Sequence, residues 1–380
     1  MTTRKAPLYA PALRMKAGEL EGVRLLASDV ADCVLPRFIV PPFGERDPDM
    51  PLPLSMDRVP DISAALAGAW RGRPALIDAT YILDEFGRDQ ASHWLPAMVR
   101  MARAKGVDVI PAAFLSDIAD CSTALRAAID RGADTKFALL ISSDEMVGPD
   151  LQASLNTALV SLGLKADECV VVAEFADVEF SEPSIVAPII SGTLETLQEC
   201  GLWQYIVFQG SHYPDKNPAE PGTTEFWPRN EWRAWKLAVR FDPTTAEHMI
   251  FGDFAADCSR IEFGGTGGKA ISHLRYTVGD SWRVERGPKT GSDREAMHRV
   301  FSKIAGSTDF AGAGFSKADA YIAQAAANLN APHGNAKIWR EINTTHHITQ
   351  VVNDIARVRG IGIKAPTVDT EVQMVLPDLA

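Results

Sequence analysis

FALLIS at residues 137–142 and CVVVAEF at residues 169–175 are two apolar segments, with a stretch of helical periodicity at residues 151–162 between them. Neither apolar segment alternates with polar residues, which is typical of parallel strands buried on both faces. Strands of an antiparallel sandwich would alternate. The three segments therefore predict one strand–helix–strand unit of a parallel sheet.

The same unit repeats along most of the chain, with consecutive strands starting about 30 to 40 residues apart, close to the length of one strand–helix unit. Strands are predicted at residues 9–13, 37–40, 75–79, 107–114, 137–142, 169–175, 205–209 and 249–254. Helices are predicted between them at residues 17–27, 62–70, 91–105, 122–131, 151–162, 184–200 and 231–240.

This alternation predicts an α/β fold, a (β/α)8 TIM-like barrel over residues 1–260. An open doubly wound sheet is the competing architecture. A barrel requires the strand at Tyr9 to pair with the strand at Met249. The alternation stops near residue 260, and an alternating polar and apolar segment runs from His273 to Arg286. We therefore predict that residues 261–380 form a C-terminal α+β extension packed on the barrel.

The composition is that of a globular protein, with 46% hydrophobic and 23% charged residues. No run of about 18 apolar residues predicts a membrane span. The net charge of -11 argues against a protein that binds nucleic acid by electrostatics alone, although a local basic groove remains open. The five cysteines form no C-x-x-C pair, so the sequence predicts neither a disulfide framework nor a thiolate zinc site. This cysteine usage fits the reducing cytoplasm best.

Cations and a carboxylate follow the first predicted strand. Arg14, Lys16 and Glu19 lie where the chain turns into the first helix, at the end of the barrel that carries the site in this architecture. Two cations at that position suit an anionic ligand. The alternative is that Glu19 serves the helix dipole and that the two cations are solvated.

Three more carboxylates, Asp78, Glu174 and Asp253, lie within or directly after predicted buried strands. Burying an unpaired charge is costly, so each requires a partner or a ligand. They could hold a divalent cation, act as acid and base, or form ion pairs with barrel cations, which is the commonest arrangement. His212, at the end of the seventh strand, is a candidate base or ligand, but a single loop histidine is more often neither.

Two further segments carry polar chemistry. Gly264 to Lys269 has the composition of a phosphate cradle but lacks the spacing of a P-loop, so a hinge is the alternative. A basic stretch with Trp282 interleaved could contact single-stranded nucleic acid, and an exposed edge strand would look the same. Its basic and polar members are His273, Arg275, Tyr276, Arg283, Arg286 and Lys289.

His346 and His347 are adjacent, and in a strand they would point to opposite faces, so no metal site is predicted there. The sequence has no G-x-S-x-G elbow, no H-E-x-x-H motif and no dinucleotide fingerprint. These absences identify no cofactor, and the sequence leaves the cofactor unknown.

Several islands of the sequence resemble the bacteriophage beta protein family. They are YAPALRMKAGE at residues 9–19, LPRFIVPP at residues 35–42, Trp339, His346-His347-Ile348, Asp78, Gly252-Asp253 and Arg275-Tyr276. Family members usually carry Glu in the segment before the double proline, where this chain has Phe38-Ile39-Val40. The resemblance implies association with phages and with mobile or antiviral-defence gene sets, and it implies no particular reaction.

The resemblance also groups the candidate residues into one expected constellation at the barrel mouth. Its members are Lys16, Glu19, Asp78, Asp253, Arg275, Tyr276, Trp339 and His347.

The first hypothesis is a cytoplasmic protein that binds an anionic, phosphorylated or nucleotide-like ligand at the barrel mouth, with hydrolysis or transfer as the chemistry. Lys16 and Arg275 would neutralise the anion, with Arg14, Glu19 and Trp339 completing the binding site. Asp78 and Asp253 would supply acid–base or cation-binding oxygens, and Tyr276 or His347 would transfer a proton.

Two alternatives stay open. One is a non-catalytic module that binds nucleic acid or a partner protein through the basic and aromatic C-terminal segment. The other is an assembly scaffold that uses a long proline-rich loop, residues 213–228, together with the tryptophans from Trp227 to Trp235.

Overall fold

The computed structural model describes residues 6–42, 53–260 and 271–363. Within them the strands are β1 Ala12–Arg14, β2 Arg37–Ile39, β3 Pro74–Asp78, β4 Asp108–Phe114, β5 Phe137–Ser142, β6 Cys169–Phe175, β7 Tyr205–Gly210, β8 Thr224–Pro228, β9 Met249–Gly252, β10 His273–Val278 and β11 Ser281–Arg286.

The described helices alternate with the strands of the larger sheet and then continue into the C-terminal part. They are α1 Ala17–Arg24, α2 Ser28–Ala31, α3 Ser63–Trp70, α4 Thr80–Phe86, α5 Ala91–Ala104, α6 Leu115–Ala128, α7 Ser143–Met146, α8 Leu151–Leu162, α9 Pro183–Cys200, α10 Asn230–Phe241, α11 Thr245–His248, α12 Asp293–Ala305, α13 Lys317–Ala327 and α14 Ala336–Val358. Short 3-10 helices occupy Arg88–Gln90 and Ala166–Glu168.

Eight parallel strands form one sheet in the order β1-β2-β3-β4-β5-β6-β7-β9. The order follows the chain without the reversal of a doubly wound sheet. Tyr9 bridges both Val34 and Phe251, and the backbone N of Ala10 donates to the carbonyl oxygen of Phe251 at 3.0 Å. The fold is therefore α/β with a nearly closed, barrel-like parallel sheet, and the predicted parallel alternation is confirmed.

The interior of the barrel-like sheet is filled by the side chains that alternate inward along each strand. This inner core contains Ala10, Leu35, Leu76, Ile110, Ala112, Ala138, Leu140, Val170, Val172, Val207 and Ile250. Gly252 lies where the strands approach most closely, because a Cβ there would come within 2.5 Å of the carbonyl oxygen of Ala10. The helices cover the outer face and bury a second, larger core.

Strands β5 and β6 and helix α8 have the predicted bounds, and α8 ends at Gly163, whose φ is 63°. Helix α6 begins at Leu115 rather than at residue 122, but its backbone is non-helical at Cys121 (φ -119°, ψ 16°), so the predicted start matches the segment after this kink. Leu115 and Ile118 are buried, so the apolar stripe begins directly after β4. Helix α4 lies where the sequence predicts no helix.

The C-terminal part is joined to the barrel region by a shared sheet. Strands β10 and β11 form a hairpin, and β11 also pairs antiparallel with β8. Because β8 lies within residues 213–228, the stretch expected to be a loop ends in a strand. The described residues therefore form a three-stranded sheet from two distant parts of the chain.

Helix α14 packs directly against α1. A Cβ at Gly18 would come within 2.4 Å of the carbonyl oxygen of Lys337, and one at Gly22 within 2.7 Å of the Cβ of Thr344. Two glycines four residues apart on one helix face permit this close approach. None of the described helices combines the length and the apolar character that a membrane span requires.

His346 and His347 lie in α14 rather than in a strand, and both are buried. The expected strand geometry, in which the two rings point to opposite faces, is therefore wrong. Neighbours on a helix are about 100° apart, which lets one ring face the C-terminal part and the other the barrel wall.

Candidate functional site

A cleft of about 250 Å³ lies beyond the carboxyl ends of β1 and β9, between the segment after β9 and the first half of α14. Phe254 belongs to the apolar group that closes the top of the barrel interior, and it also lines the cleft. The polar and aromatic lining consists of Glu19, Asp257, His273, Arg275, Trp339, Arg340, Asn343 and Thr344.

Asp257 is the centre of an arginine pair in this cleft. The Nη1 of Arg275 donates to Oδ1 of Asp257 at 2.6 Å and to the carbonyl oxygen of Ala256 at 2.7 Å, and Arg14 forms a salt bridge with Oδ2 of Asp257. The buried Nε of Arg275 has no hydrogen-bond partner within the described ranges. Two guanidinium groups thus share the carboxylate of Asp257, and Arg14 also lies near Glu19.

Arg340 adds a further cation to the lining. Its side chain makes no hydrogen bond or salt bridge in the part of the chain that the structure describes. The neighbouring Trp339 is held in place, because its Nε1 donates to the carbonyl oxygen of His333 at 2.8 Å. The cleft therefore combines an available guanidinium with a fixed indole.

Glu19 lines the same cleft and is 5% exposed. Its Oε1 lies 3.5 Å from Nε of Arg14, whereas its Oε2 has no hydrogen-bond partner among the described residues. Burial raises the pKa of Glu19, although the charges of Arg14, Arg340 and Lys16 act to lower it. Lys16 is thus close enough to influence Glu19, but it does not line the cleft.

His273 contributes a neutral ring to the lining. Burial, followed by the charge of Arg275, lowers the pKa of His273 to about 4. Its Nδ1 lies 2.8 Å from the carbonyl oxygen of Ile271. At neutral pH this imidazole is therefore uncharged, and the positive charge of the cleft comes from its arginines.

Asp78 lies inside the barrel-like sheet, where Arg37 binds it. The Nε and Nη2 of Arg37 donate to Oδ2 of Asp78 at 3.1 and 2.6 Å, and its Nη1 donates to Oε1 of Gln209 at 2.8 Å and to Glu174. Asp78 Oδ1 accepts from the Thr80 hydroxyl at 2.7 Å. Asp78 and Glu174 therefore form ion pairs, one of the arrangements that the sequence left open.

Asp253 points to the other face of the sheet. It accepts hydrogen bonds from the hydroxyl of Tyr9 and from the backbone N of Ala255, and it lies 3.0 Å from Nε2 of His347. The Nδ1 of His347 lies 2.7 Å from the hydroxyl of Thr277. Burial lowers the pKa of His347, so the ring is neutral in a network closed to solvent.

Tyr276 belongs to a third buried network, in the core of the C-terminal part. Its hydroxyl donates to Oδ1 of Asp319 at 2.6 Å and accepts from the backbone N of Ala311. Its ring stacks on His346 with centroids 3.7 Å apart. Burial and then the charge of Asp319 raise the pKa of Tyr276, so it remains protonated.

The structure therefore places some candidate residues at the cleft and the others in separate buried networks. Glu19, Arg275 and Trp339 line the cleft, and Arg14 reaches it through Asp257. The described residues do not form the expected single cavity around Lys16, Asp78, Asp253 and Arg275. The reason is the two-residue period of strands, which places Asp78 on the inner face and Asp253 on the outer face of the sheet.

The sequence did not identify three members of these networks, Asp257, Arg340 and Arg37. Asp257 lies four residues beyond Asp253, and Arg340 directly follows Trp339, so both are close to predicted site residues. Arg37 lies on a predicted buried strand, where an arginine needs a carboxylate as much as Asp78 needs a cation.

The remaining candidates have other surroundings. The ring of His212 stacks on Trp227 with centroids 5.6 Å apart, and burial lowers the pKa of His212. The segment from Gly264 to Lys269 lies outside the described residues.

The fold and the cleft define an α/β protein with a barrel-like sheet, a C-terminal part joined to it, and a polar cleft at the carboxyl edge of the strands. The chain belongs to the Beta protein family, whose family model matches residues 9–353. The matched range includes all of the candidate residues and most of α14. No curated protein matches the chain.

Proposed function

We propose that this protein binds a small anionic ligand, phosphorylated or nucleotide-like, in the cleft, and that it acts in phage-associated or antiviral-defence settings. One observation carries the binding proposal: Arg340 lines the cleft without a partner among the described residues, whereas Arg14 and Arg275 are paired with Asp257 and Glu19. Planar guanidinium groups match phosphate oxygens in pairs, which favours a phosphorylated group over a simple halide.

The size of the cleft supports a small molecule. Ligand pockets commonly enclose about 300 to 1,000 Å³, and the described residues enclose about 250 Å³. The cleft thus lies just below the usual range, and a sugar phosphate or a single nucleotide suits its size better than a polymer does.

The chemistry proposed with binding is hydrolysis or transfer, and it needs a proton acceptor within reach of the ligand. Asp78, Asp253, Tyr276 and His347 do not line the cleft, whereas Glu19 does. We therefore assign those four residues to structural networks and any proton transfer in the cleft to Glu19.

The binding proposal predicts that Arg340→Gln weakens ligand binding about tenfold or more, because charge-assisted hydrogen bonds contribute roughly 1.5 to 3 kcal/mol. Binding of pyrophosphate and of adenosine 5′-monophosphate (AMP) is measured by calorimetry at low salt. Arg357→Gln is the matched control, since Arg357 is exposed on the same helix. Equal affinities for wild type and Arg340→Gln would contradict the proposal.

A second candidate function is contact with nucleic acid through the C-terminal part. Arg286, Arg299 and Lys303 line a smaller hollow of about 120 Å³ beside Gly222. Trp282, expected to stack on bases, is fully buried, and Arg283 is paired with Glu285 and Asp309. The support is therefore limited to phosphate contacts at this hollow.

That candidate predicts a salt-dependent affinity for single-stranded DNA. Arg299→Gln should reduce the slope of log Kobs against log salt by about 1, the contribution of one phosphate contact. Fluorescence anisotropy with a thymidine oligomer measures the slope. Arg294→Gln, an exposed arginine on the same helix, is the control, and identical slopes for all three proteins would exclude this site.

We further propose that the barrel-like sheet is a (β/α)8 barrel of the TIM type and that the protein resides in the cytoplasm. The strand order and the contact of Tyr9 with Phe251 support the first proposal. The five cysteines, which are all free thiols, support the second.

A further inference from the structure

We infer that the ligand of the cleft carries a hydroxyl group beside its anionic group, and that the carboxylate of Glu19 accepts a hydrogen bond from that hydroxyl. The ligand class is thus a phosphorylated polyol, such as a sugar phosphate or a nucleoside monophosphate. This inference rests on the proposed function and goes beyond it, because it identifies Glu19 as the residue that binds the uncharged part of the ligand.

The first step is the state of the Glu19 carboxyl group. The side chain is 5% exposed and lines the cleft, and its Oε1 lies 3.5 Å from Nε of Arg14. Oε2 has no hydrogen-bond partner in the described part of the chain. A buried acceptor without a donor is costly, so this oxygen indicates a donor that a ligand supplies.

The second step concerns the kind of donor. A phosphate oxygen without a proton cannot donate to a carboxylate, so the anionic group itself is not the partner of Oε2 when Glu19 is ionised. An ammonium group could donate, but Arg14, Arg275 and Arg340 would repel a cation in this cleft. A neutral hydroxyl donates without that repulsion, and it is abundant on sugars and polyols.

The third step is the position of Glu19 on α1. Glu19 lies between Gly18 and Gly22, and both glycines approach α14 too closely for a Cβ without displacement of its neighbours. The hydroxyl of Thr345 donates to the carbonyl oxygen of Gly22 at 3.0 Å. The backbone that carries Glu19 is therefore held against the helix that presents Arg340, which supports one site formed by α1 and α14.

The experiment compares two pairs of phosphates that differ only in hydroxyl groups. One pair is AMP and 2′,3′-dideoxy-AMP, and the other is glycerol 3-phosphate and propyl phosphate. Affinities are measured by calorimetry for wild type, Glu19→Gln and Glu21→Gln. Glu21 is the matched control, because it lies on the same helix, pairs with Arg24 and does not line the cleft.

Wild type should bind the hydroxylated member of at least one pair about tenfold more tightly than its analogue, as expected for a hydrogen bond to a charged acceptor. Glu19→Gln should reduce that preference several-fold, because the neutral amide accepts the hydrogen bond of a hydroxyl less strongly than a carboxylate does. Glu21→Gln should behave as wild type.

The inference is wrong if wild type binds the phosphates without any preference for the hydroxylated members, and that result leaves the proposed anion site intact. It is also wrong if Glu19→Gln weakens both members of a pair equally, because Glu19 then acts on the anionic group or on the fold. If none of the four compounds binds wild type, the proposed function and this inference fail together. The wild-type comparison needs no variant, so poor folding of Glu19→Gln would not prevent the test.

Discussion

At the start of α10, Arg229 and Glu231 are fully buried, and Nε of Arg229 lies 3.8 Å from Oε1 of Glu231. Neither of these two atoms has a hydrogen-bond partner among the described residues. Burial raises the pKa of Glu231 to about 8. The charge of Arg229 acts to lower this pKa, and the charge of Asp253 acts to raise it. At neutral pH the carboxyl group is therefore largely protonated in the folded protein.

This residue predicts a pH-dependent stability. The unfolded chain releases the Glu231 proton above its ordinary pKa of 4.5, whereas the folded protein keeps it up to about pH 8. The contribution of Glu231 therefore favours the folded state below pH 4.5 and declines as pH rises from about 4.5 to about 8, by at most ~1.4 kcal/mol per pH unit.

Glu231→Gln should remove that decline, because the amide has no proton to release in this range. Urea unfolding of wild type and variant between pH 5 and pH 9 gives the difference in stability at each pH. His347 and Glu341 titrate in both proteins, so their contributions largely cancel in the difference. A difference that does not change with pH would refute the prediction.

At the scale of elements, the close contact of α1 with α14 holds the two sides of the cleft. Gly18 lies against the backbone of Lys337, which cannot move away without displacing the helix. Gly68 is also in a helix, α3, but a Cβ there would meet nothing within 4 Å. Replacing these two glycines by alanine is therefore expected to change the stability of the protein in opposite directions.

Gly18→Ala should destabilise the protein by roughly 1 to 3 kcal/mol, the usual cost of overpacking a tight contact. Gly68→Ala should stabilise it by about 0.5 to 1 kcal/mol, since alanine is the better helix former. Chemical denaturation monitored by tryptophan fluorescence measures both changes. Equal effects of the two substitutions would show that the α1–α14 contact tolerates a side chain.

Elements with a strong local signal were predictable from the sequence. Strands β5 and β6 have the predicted bounds because their apolar runs stop at polar residues or turns. The segment around His346 contains threonines and an isoleucine, which favour strands in isolation. It lies in α14, where packing against α1 and β10 outweighs that preference.

The candidate site was predictable in part. Arg14, Glu19 and Arg275 stand at strand ends or in the family resemblance, and the structure brings them to one cleft. Arg340 carries no local pattern, because its importance arises from the place where α14 crosses α1. The pairing of Arg37 with Asp78 depends on the register of two neighbouring strands, which sequence spacing does not fix.

At the scale of the whole molecule, the barrel-like sheet and the C-terminal part are connected by side-chain networks as well as by the chain. Asp253 of the sheet contacts His347 of α14, and the backbone N of Arg275 donates to Oδ1 of Asn343 at 3.0 Å. The cleft takes residues from both parts. Neither part alone contains the complete lining.

The three-stranded sheet limits how the two parts of the gene can recombine. Strand β8 comes from the first part of the chain, but its backbone partner β11 lies more than fifty residues later, in the second part. A recombination event between the two gene segments would leave an unmatched strand edge on each product. We therefore expect the two segments to be inherited together rather than exchanged as separate modules among relatives.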